Sequence, residues 1–315
     1  MLCAHRAAPL RRIQHSSGDL VVDRRAAFAE AMALDKDFAV AAEVMAGALE
    51  AAPHWAAGWL LLGDYRAEAG DSAGAMAAYR QVEALDTERV FGAALKLAAQ
   101  GGGMLPSGTD RGYVEALFDE YAPRFEHELV GALRYGVPAV LGRMISDALA
   151  GRRAERSVDL GCGTGLMGQR LRPHANRLEG VDLSARMLRE AGRKGLYDRL
   201  VHAELLEFLR TDAGGIGIAT AADVLVYCGP LPPVLAAVHA VLAPGGLFGY
   251  SLELHDRPGT LLQRRQLRYV HNGNEALAEC AAAGFELVEA QRSPIRNERN
   301  QPVDGLIALI RKPSA

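Results

Sequence analysis

In the middle of the chain, an acidic residue is followed by three glycines at alternate positions. This run is the clearest indication of chemistry in the sequence. The run Asp159-Leu160-Gly161-Cys162-Gly163-Thr164-Gly165 stands where a predicted strand gives way to a predicted helix. Because glycine lacks a Cβ atom, the backbone of such a loop can lie directly against a ligand. The start of the following helix offers free N–H groups to a carboxylate. The loop therefore predicts a ligand-binding turn.

A second acid, Asp182, ends the next predicted strand, where a carboxylate can accept hydrogen bonds from both ribose hydroxyls. Loop and acid together predict a nucleoside site at the carboxyl ends of parallel strands. Residues 163–168 also satisfy G-x-G-x-x-G, the dinucleotide pattern. Asp159 favours S-adenosylmethionine (SAM), because an acid there suits the methionine amino group and repels a pyrophosphate. An NAD-dependent oxidoreductase remains the alternative.

These residues resemble the class I SAM-dependent methyltransferases, and the resemblance covers about residues 113–312. Asp159–Gly165 is similar to the first motif of that family, and Val181-Asp182-Leu183-Ser184 with Met187 is similar to the second. The turn Leu242-Ala243-Pro244-Gly245-Gly246 matches the one before strand five. The family resemblance implies that Asp182 holds the ribose, that apolar side chains flank the adenine, and that Glu204 lies near the adenine amino group. The implied cofactor-binding residues are Tyr113, Tyr121, Asp159, Gly161, Cys162, Gly163, Thr164, Gly165, Asp182, Leu183, Met187, Glu204, Leu205 and Ala222.

A narrower resemblance points to bacterial methyltransferases that carry tetratricopeptide (TPR) repeats in front, a group similar to the type 11 and type 12 methyltransferases. It rests on residues 117–125, 221–227, 268–271 and 302–312. It implies that aromatic N-terminal helices fold over SAM, with Tyr113 and Tyr121 near its methionine end. Gly217 departs from the family, which usually has an acid early in strand four.

Strands and helices alternate from residue 156 onward, which predicts a Rossmann-like α/β fold with a mainly parallel, seven-stranded sheet. Residues 285–292 and 305–311 have no helix between them, so we expect an antiparallel hairpin at one edge. Residues 110–133 predict two short helices, the second starting at Pro123. Residues 218–227 predict strand four, Ser184 is expected to cap the helix at 184–193, and His271 is expected to help start the helix at 274–283.

The sequence of the N-terminal part of the chain predicts α-helices. Trp59, Leu62, Gly63, Ala75 and Tyr79 match most of the TPR pattern. We therefore predict an all-α TPR-like domain at residues 23–100, after a disordered basic tail at 1–22. A glycine-rich linker at 101–109 precedes the methyltransferase domain, with its lid helices, at 110–315.

Composition excludes several classes of function. The 315 residues carry a net charge of -3, which makes nucleic acid an unlikely partner. Four scattered cysteines lack metal-ligand spacing and fit reduced thiols in a cytoplasmic protein, so we expect no metal. No apolar run reaches the length that spans a membrane.

Methyl transfer from a sulfonium is an in-line displacement that needs positioning more than acid–base chemistry. Tyr227 and His255, which follow predicted strands four and five, are the candidate catalytic residues. We expect a small-molecule or protein acceptor, and the TPR-like face suits a peptide partner. A catalytically degenerate TPR adaptor that binds SAM is the non-enzymatic alternative.

Overall fold

The computed structural model describes residues 15–102, 105–122, 124–126, 135–263, 266–298 and 301–314. The described chain divides into two units. The helical unit runs up to Ala116 and includes Leu262–Leu267, and the α/β unit comprises Leu117–Leu261 and the chain from Arg268 onward. The division falls inside a helix, after the glycine-rich segment in which we placed the linker.

The helical unit begins with five helices, and three of them start at an aspartate. They are α1 (Leu20–Leu34), α2 (Phe38–Ala51), α3 (Ala56–Glu68), α4 (Ser72–Leu85) and α5 (Ala93–Ala99). The carboxylates of Asp19, Asp37 and Asp71 accept backbone N–H groups in the first turns of α1, α2 and α4. Because Asp19 caps α1, the helix starts inside the segment that we predicted to be disordered to residue 22, and that boundary was wrong.

Small residues let the helices of this unit approach closely. A Cβ atom on Gly63 would lie 2.4 Å from the ring of Tyr79, so only glycine admits the ring there. Ala41, Ala48 and Ala75 are fully buried. These contacts agree with the helix pairs that the repeat pattern implies, while the assignment to the TPR class stays a prediction. Helix α6 (Arg111–Tyr121) follows, and the helix that we predicted after Pro123 lies outside the described residues.

The α/β unit alternates strands and helices as predicted. Its strands are β1 (Ala154–Leu160), β2 (Ala175–Asp182), β3 (Arg199–His202), β4 (Ile216–Ala221), β5 (Leu242–His255), β6 (Thr260–Leu262), β7 (Tyr269–Asn272), β8 (Glu286–Glu298) and β9 (Gln301–Arg311). Its further helices are α7 (Val137–Leu149), α8 (Leu166–Leu171), α9 (Ala185–Arg193), α10 (Leu205–Thr211), α11 (Pro232–Val241) and α12 (Gly273–Ala282).

Strands β3, β2, β1, β4 and β5 pair in parallel in that order, and β9 then pairs antiparallel with β5 and with β8. The mainly parallel sheet and the antiparallel hairpin are confirmed. The predicted count of seven strands was wrong, since the described sheet has nine. The additional strands, β6 and β7, span three and four residues, too few for an alternating pattern to show.

Apolar side chains fill both faces of the sheet. Helices α10, α11 and α12 cover one face, and α7 and α8 cover the other. Gly249 in β5 leaves room for Leu141 of α7, because a Cβ atom there would lie 2.7 Å from the leucine side chain. We predicted neither α7 nor α10. Within the described residues, no helix combines the length and the apolar character needed to cross a membrane.

Candidate cofactor-binding site

The glycine loop and Asp182 lie side by side at the carboxyl ends of β1 and β2. Leu160 pairs with Val181 in the last register position of the two strands. The loop stays attached to β2, because the Cys162 N–H donates to the Val181 carbonyl at 2.9 Å. Gly161 and Gly163 have φ angles of 63° and 52°, in the left-handed region that side-chain-bearing residues avoid. The alternate glycines are therefore required by the turn itself.

Asp182 accepts two backbone hydrogen bonds, one to each carboxylate oxygen. The Gly163 N–H donates to Oδ2 and the Ser184 N–H donates to Oδ1, both at 2.8 Å. A carboxylate has about four acceptor positions, so capacity remains for two hydroxyl donors. Burial raises the pKa of Asp182 to about 6, although both backbone N–H groups oppose that rise. The carboxylate is thus oriented before any ligand arrives.

The outer side of the loop faces an aromatic side chain. A Cβ atom on Gly163 would find nothing closer than the ring of Phe125, at 3.8 Å. A Cβ atom on Gly161, in contrast, would lie 2.4 Å from Val224. The bare backbone at Gly163 beneath an aromatic ring, next to an oriented carboxylate, fits a nucleoside cofactor such as SAM.

Asp159 lies beneath the loop, with 1% of its surface exposed. Its Oδ2 accepts from the Tyr197 hydroxyl at 2.7 Å, and its Oδ1 accepts from the Thr220 hydroxyl at 2.9 Å. Burial raises the pKa of Asp159 to about 6, and both hydroxyls oppose the rise. Asp159 therefore joins β1 to β4 and to the chain before β3, and its predicted contact with the methionine amino group stays a prediction.

Tyr197 is the supporting residue that the sequence did not reveal. Cβ atoms on Gly165, Gly168 and Gly180 would each lie 3.1 Å or less from its side chain. Gly168, the last glycine of the dinucleotide pattern, thus makes room for this tyrosine inside the protein. A single tyrosine in a short connection has no periodicity or motif that would have indicated its position.

The remaining loop side chains point inward. Cys162 and Thr164 are 5% and 2% exposed. Burial raises the pKa of the Cys162 thiol well above its usual range, so the side chain stays neutral. Only the backbone of these two residues is suited to a cofactor.

The other predicted cofactor residues surround the starts of α9 and α10. Ser184 caps α9 as predicted, accepting from the Met187 N–H at 3.1 Å, and Met187 itself is buried. The Leu183 carbonyl lies 2.6 Å from Nε2 of His202. Glu204 caps α10 by accepting from the Glu207 N–H at 2.8 Å. Leu205 and Ala222 pack in the cores on opposite faces of the sheet.

Comparisons with known proteins agree with this geometry. Residues 158–248 match the family model described as a methyltransferase domain. Malonyl-[acyl-carrier protein] O-methyltransferase of Enterobacter lignolyticus is 28% identical over 144 residues, which are 45% of this chain and 54% of that protein. Methyltransferase-like protein 27 of Homo sapiens is 33% identical over 137 residues, which are 41% of this chain and 54% of that protein.

Residues 158–248 are part of a methyltransferase domain. Its cofactor is SAM. The chain spans about half the length of these two curated relatives. The solved structure of the [4+2]-cyclase SpnF has a TM-score of 0.54 at 17% identity, and the match covers 68% of this chain and 99% of that chain. At that identity the likeness shows the fold alone.

A cluster of aromatic side chains reaches the glycine loop of the methyltransferase domain through Phe125. The rings of Tyr121 and Phe125 meet edge to face with centroids 5.4 Å apart, and Phe118 lies 6.3 Å from Phe125. Phe118 also meets Tyr227 edge to face at 5.5 Å, which connects the loop with the end of β4. Tyr113 belongs to the helical unit, where its ring lies against Gly92. Its predicted contact with SAM stays a prediction.

The two candidate catalytic residues have different surroundings. Tyr227 ends a short 3₁₀ helix (Leu225–Tyr227) after β4, where we had predicted a continuous strand over residues 218–227. His255 ends β5, and both of its ring nitrogens are engaged. Nδ1 accepts from the Arg257 N–H at 3.0 Å, and Nε2 donates to the Gly259 carbonyl at 3.0 Å. This arrangement leaves His255 no free lone pair with which to take a proton.

A buried ion cluster beside Tyr227 is the second feature that the sequence did not reveal. Arg296, 5% exposed, donates to both oxygens of Asp223 at 2.7 and 2.9 Å and also to Glu253. Arg268 pairs with Glu253 at 2.7 Å and with Glu298 at 2.5 Å. Both guanidinium groups are therefore occupied by carboxylates of the protein itself.

Two expectations about neighbouring residues change. His271 lies in β7 and contacts the Gly229 carbonyl at 2.9 Å, while Asn272 caps α12, so the predicted helix-starting role of His271 was wrong. Gly217 lies at the amino end of β4, where a Cβ atom would be 2.9 Å from Ala154. That is the end of the sheet opposite to the glycine loop, so the missing acid does not alter the cofactor site. Among the described residues, no group of three or more His, Cys, Asp or Glu side chains is arranged to hold a metal ion.

Proposed function

We propose that the chain is a methyltransferase that moves a methyl group from SAM to a small-molecule or protein acceptor. The observation that carries the proposal is the pairing of Asp182 with the Gly163 N–H, which fixes the ribose-binding acid against the glycine loop. SAM supplies a methyl group already activated by its sulfonium. The protein then has to orient the cofactor and the acceptor and exclude water from them.

Each part of the site has a role in this proposal. Asp182 accepts the ribose hydroxyls, the apolar residues after it flank the adenine, and Phe125 with Tyr121 covers the loop. Tyr227 is the better of the two candidates for contact with the acceptor, since Phe118 joins it to the aromatic cover. His255 is the weaker candidate for a general base, because its ring is engaged in its own loop.

Binding measurements test the cofactor site directly. We expect calorimetry to show binding of SAM and of S-adenosylhomocysteine (SAH), and none of NADH. Asp182→Ala should abolish SAM binding, because it removes the acceptor for the ribose, while the melting temperature stays close to that of the native protein. Tight NADH binding without SAM binding would overturn the proposal in favour of an oxidoreductase.

The acceptor requires an activity measurement. With radioactive methyl-SAM and a cell extract, we expect label in an acceptor that stays unlabelled with the Asp182→Ala protein.

We further propose that the helical unit is TPR-like and offers a peptide partner a binding face. Deleting that unit distinguishes the two kinds of acceptor. A protein acceptor should then no longer be labelled, whereas a small-molecule acceptor should still be labelled. A protein that binds SAM but labels nothing would favour the degenerate adaptor.

A further inference from the structure

Asp119 is a buried carboxylate in helix α6, within the segment that resembles the TPR-bearing methyltransferases. Its exposed fraction is 3%, whereas the neighbouring Glu120 is exposed. A buried carboxylate is costly unless hydrogen-bond donors surround it. The identity of those donors therefore indicates what Asp119 does.

The donors come from the start of α9, the helix that follows the ribose-binding acid. Asp119 Oδ1 accepts from the Ser184 hydroxyl at 2.6 Å and from the Arg186 N–H at 3.2 Å. The Arg186 guanidinium in turn donates to the Asp119 carbonyl at 3.0 Å. Helix α6 is thus fastened to the first turn of α9 by both the side chain and the backbone of one residue.

Ser184 transmits this contact to the cofactor loop. Because its hydroxyl donates to Asp119, the hydroxyl oxygen is oriented to accept from the Met187 N–H and close the cap of α9. The backbone N–H of the same serine holds Asp182, whose other oxygen holds Gly163. A continuous chain of hydrogen bonds therefore runs from Asp119 through Ser184 and Asp182 to the glycine loop.

We propose that Asp119 is a positioning residue for SAM, which sets the orientation of Asp182 by fixing the cap of α9. The inference rests on the proposed role of Asp182 at the ribose. A second contact supports it, since Glu126 pairs with Lys194 at the other end of α9. The segment that bears the rings of Phe118, Tyr121 and Phe125 is therefore held to both ends of α9, the helix whose cap contacts Asp182.

Four variants test this role with SAH as the probe in calorimetry. Asp119→Ala should weaken SAH binding at least tenfold. Asp119→Asn should stay within threefold of the native protein, because its amide oxygen can still accept from Ser184 and Arg186. Glu120→Ala, the exposed neighbour, should change the affinity less than twofold. In an Asp182→Asn background, Asp119→Ala should add less than a twofold loss, because Asp119 acts through Asp182.

The outcomes separate this inference from the proposed function. If the native protein binds SAH and Asp119→Ala binds it equally well, the inference is wrong and the proposed function stands. A tenfold loss that recurs in the Asp182→Asn background would also overturn it, because Asp119 would then act by another route. If Asp119→Ala does not fold, two other variants test the inference. Asp119→Asn should bind SAH normally, and Ser184→Ala should bind it weakly. A native protein that fails to bind SAH would refute both.

Discussion

At the cofactor site, the sequence indicates which residues can bind a ligand. It does not indicate which residues surround and support them. Gly161, Gly163 and Asp182 were identifiable from their types and spacing, because a bare turn and an acid at the next strand end have few other uses. Tyr197 and Thr220 were not, since their partner Asp159 is distant from them along the chain. Residues that bind a ligand form local motifs, whereas residues that support them can come from any part of the fold.

The raised pKa of Asp182 predicts that cofactor binding depends on pH. Because that pKa is about 6, the carboxylate gains a proton as the pH falls through this value and loses acceptor capacity. We expect SAH affinity to be constant above about pH 7 and to fall by about tenfold for each pH unit below 6. Calorimetry between pH 5 and pH 8 measures this, with Asp182→Asn as the control, whose weaker binding should retain only the pH dependence due to Asp159, the other carboxyl with a pKa of about 6. An unchanged native affinity at pH 5 would contradict the prediction.

Among the secondary-structure elements, the hydrophobic pattern predicted most strands. It did not predict the elements whose positions depend on tertiary packing. The parallel strands and the final hairpin were foreseeable because each is a short apolar run between turn signals. Strand β4 was predicted too long, since residues 222–227 are as apolar as the strand itself but turn at Asp223, whose φ is 61°. Helices α7 and α10 were missed, although Val137, Leu141 and Ile145 of α7 have helical spacing and are fully buried.

Tyr197, in the connection between α9 and β3, allows a test of how the residues beneath the glycine loop stabilise it. Tyr197→Phe removes one donor from the buried Asp159 carboxylate and should lower the free energy of unfolding by about 1–3 kcal/mol. Tyr250→Phe is the matched control, since Tyr250 is buried but its hydroxyl meets only the weakly bonding thiol of Cys280. Urea unfolding measures both variants. Equal losses would show that the bond to Asp159 has no special weight.

For the molecule as a whole, the buried ion cluster joins segments that are distant along the chain. Arg296 of β8 holds Glu253 of β5 and Asp223 after β4. Arg296→Gln leaves Asp223 without its cation and Glu253 with Arg268 alone, and should lower the free energy of unfolding by about 3–5 kcal/mol. Arg143→Gln, which breaks a half-exposed pair with Glu289, should change it by less than about 1 kcal/mol. Chemical denaturation compares the two, and a small loss for Arg296→Gln would mean that the surrounding groups rearrange to compensate.

The ring of Tyr197 against three glycines limits how this site can change. Gly165 and Gly168 lie together at the start of α8 and Gly180 lies in β2, yet each leaves space for the same side chain. At Gly168, where a Cβ atom would lie 2.2 Å from the Tyr197 hydroxyl, a larger residue is tolerated only together with a smaller one at position 197, so the two substitutions should be strongly non-additive. Gly165, whose φ is 92°, and Gly180, where a Cβ atom would also lie 2.9 Å from Cys162 and from Leu200, are restricted independently of Tyr197. Natural variants at position 168 are accordingly expected to differ at position 197 as well.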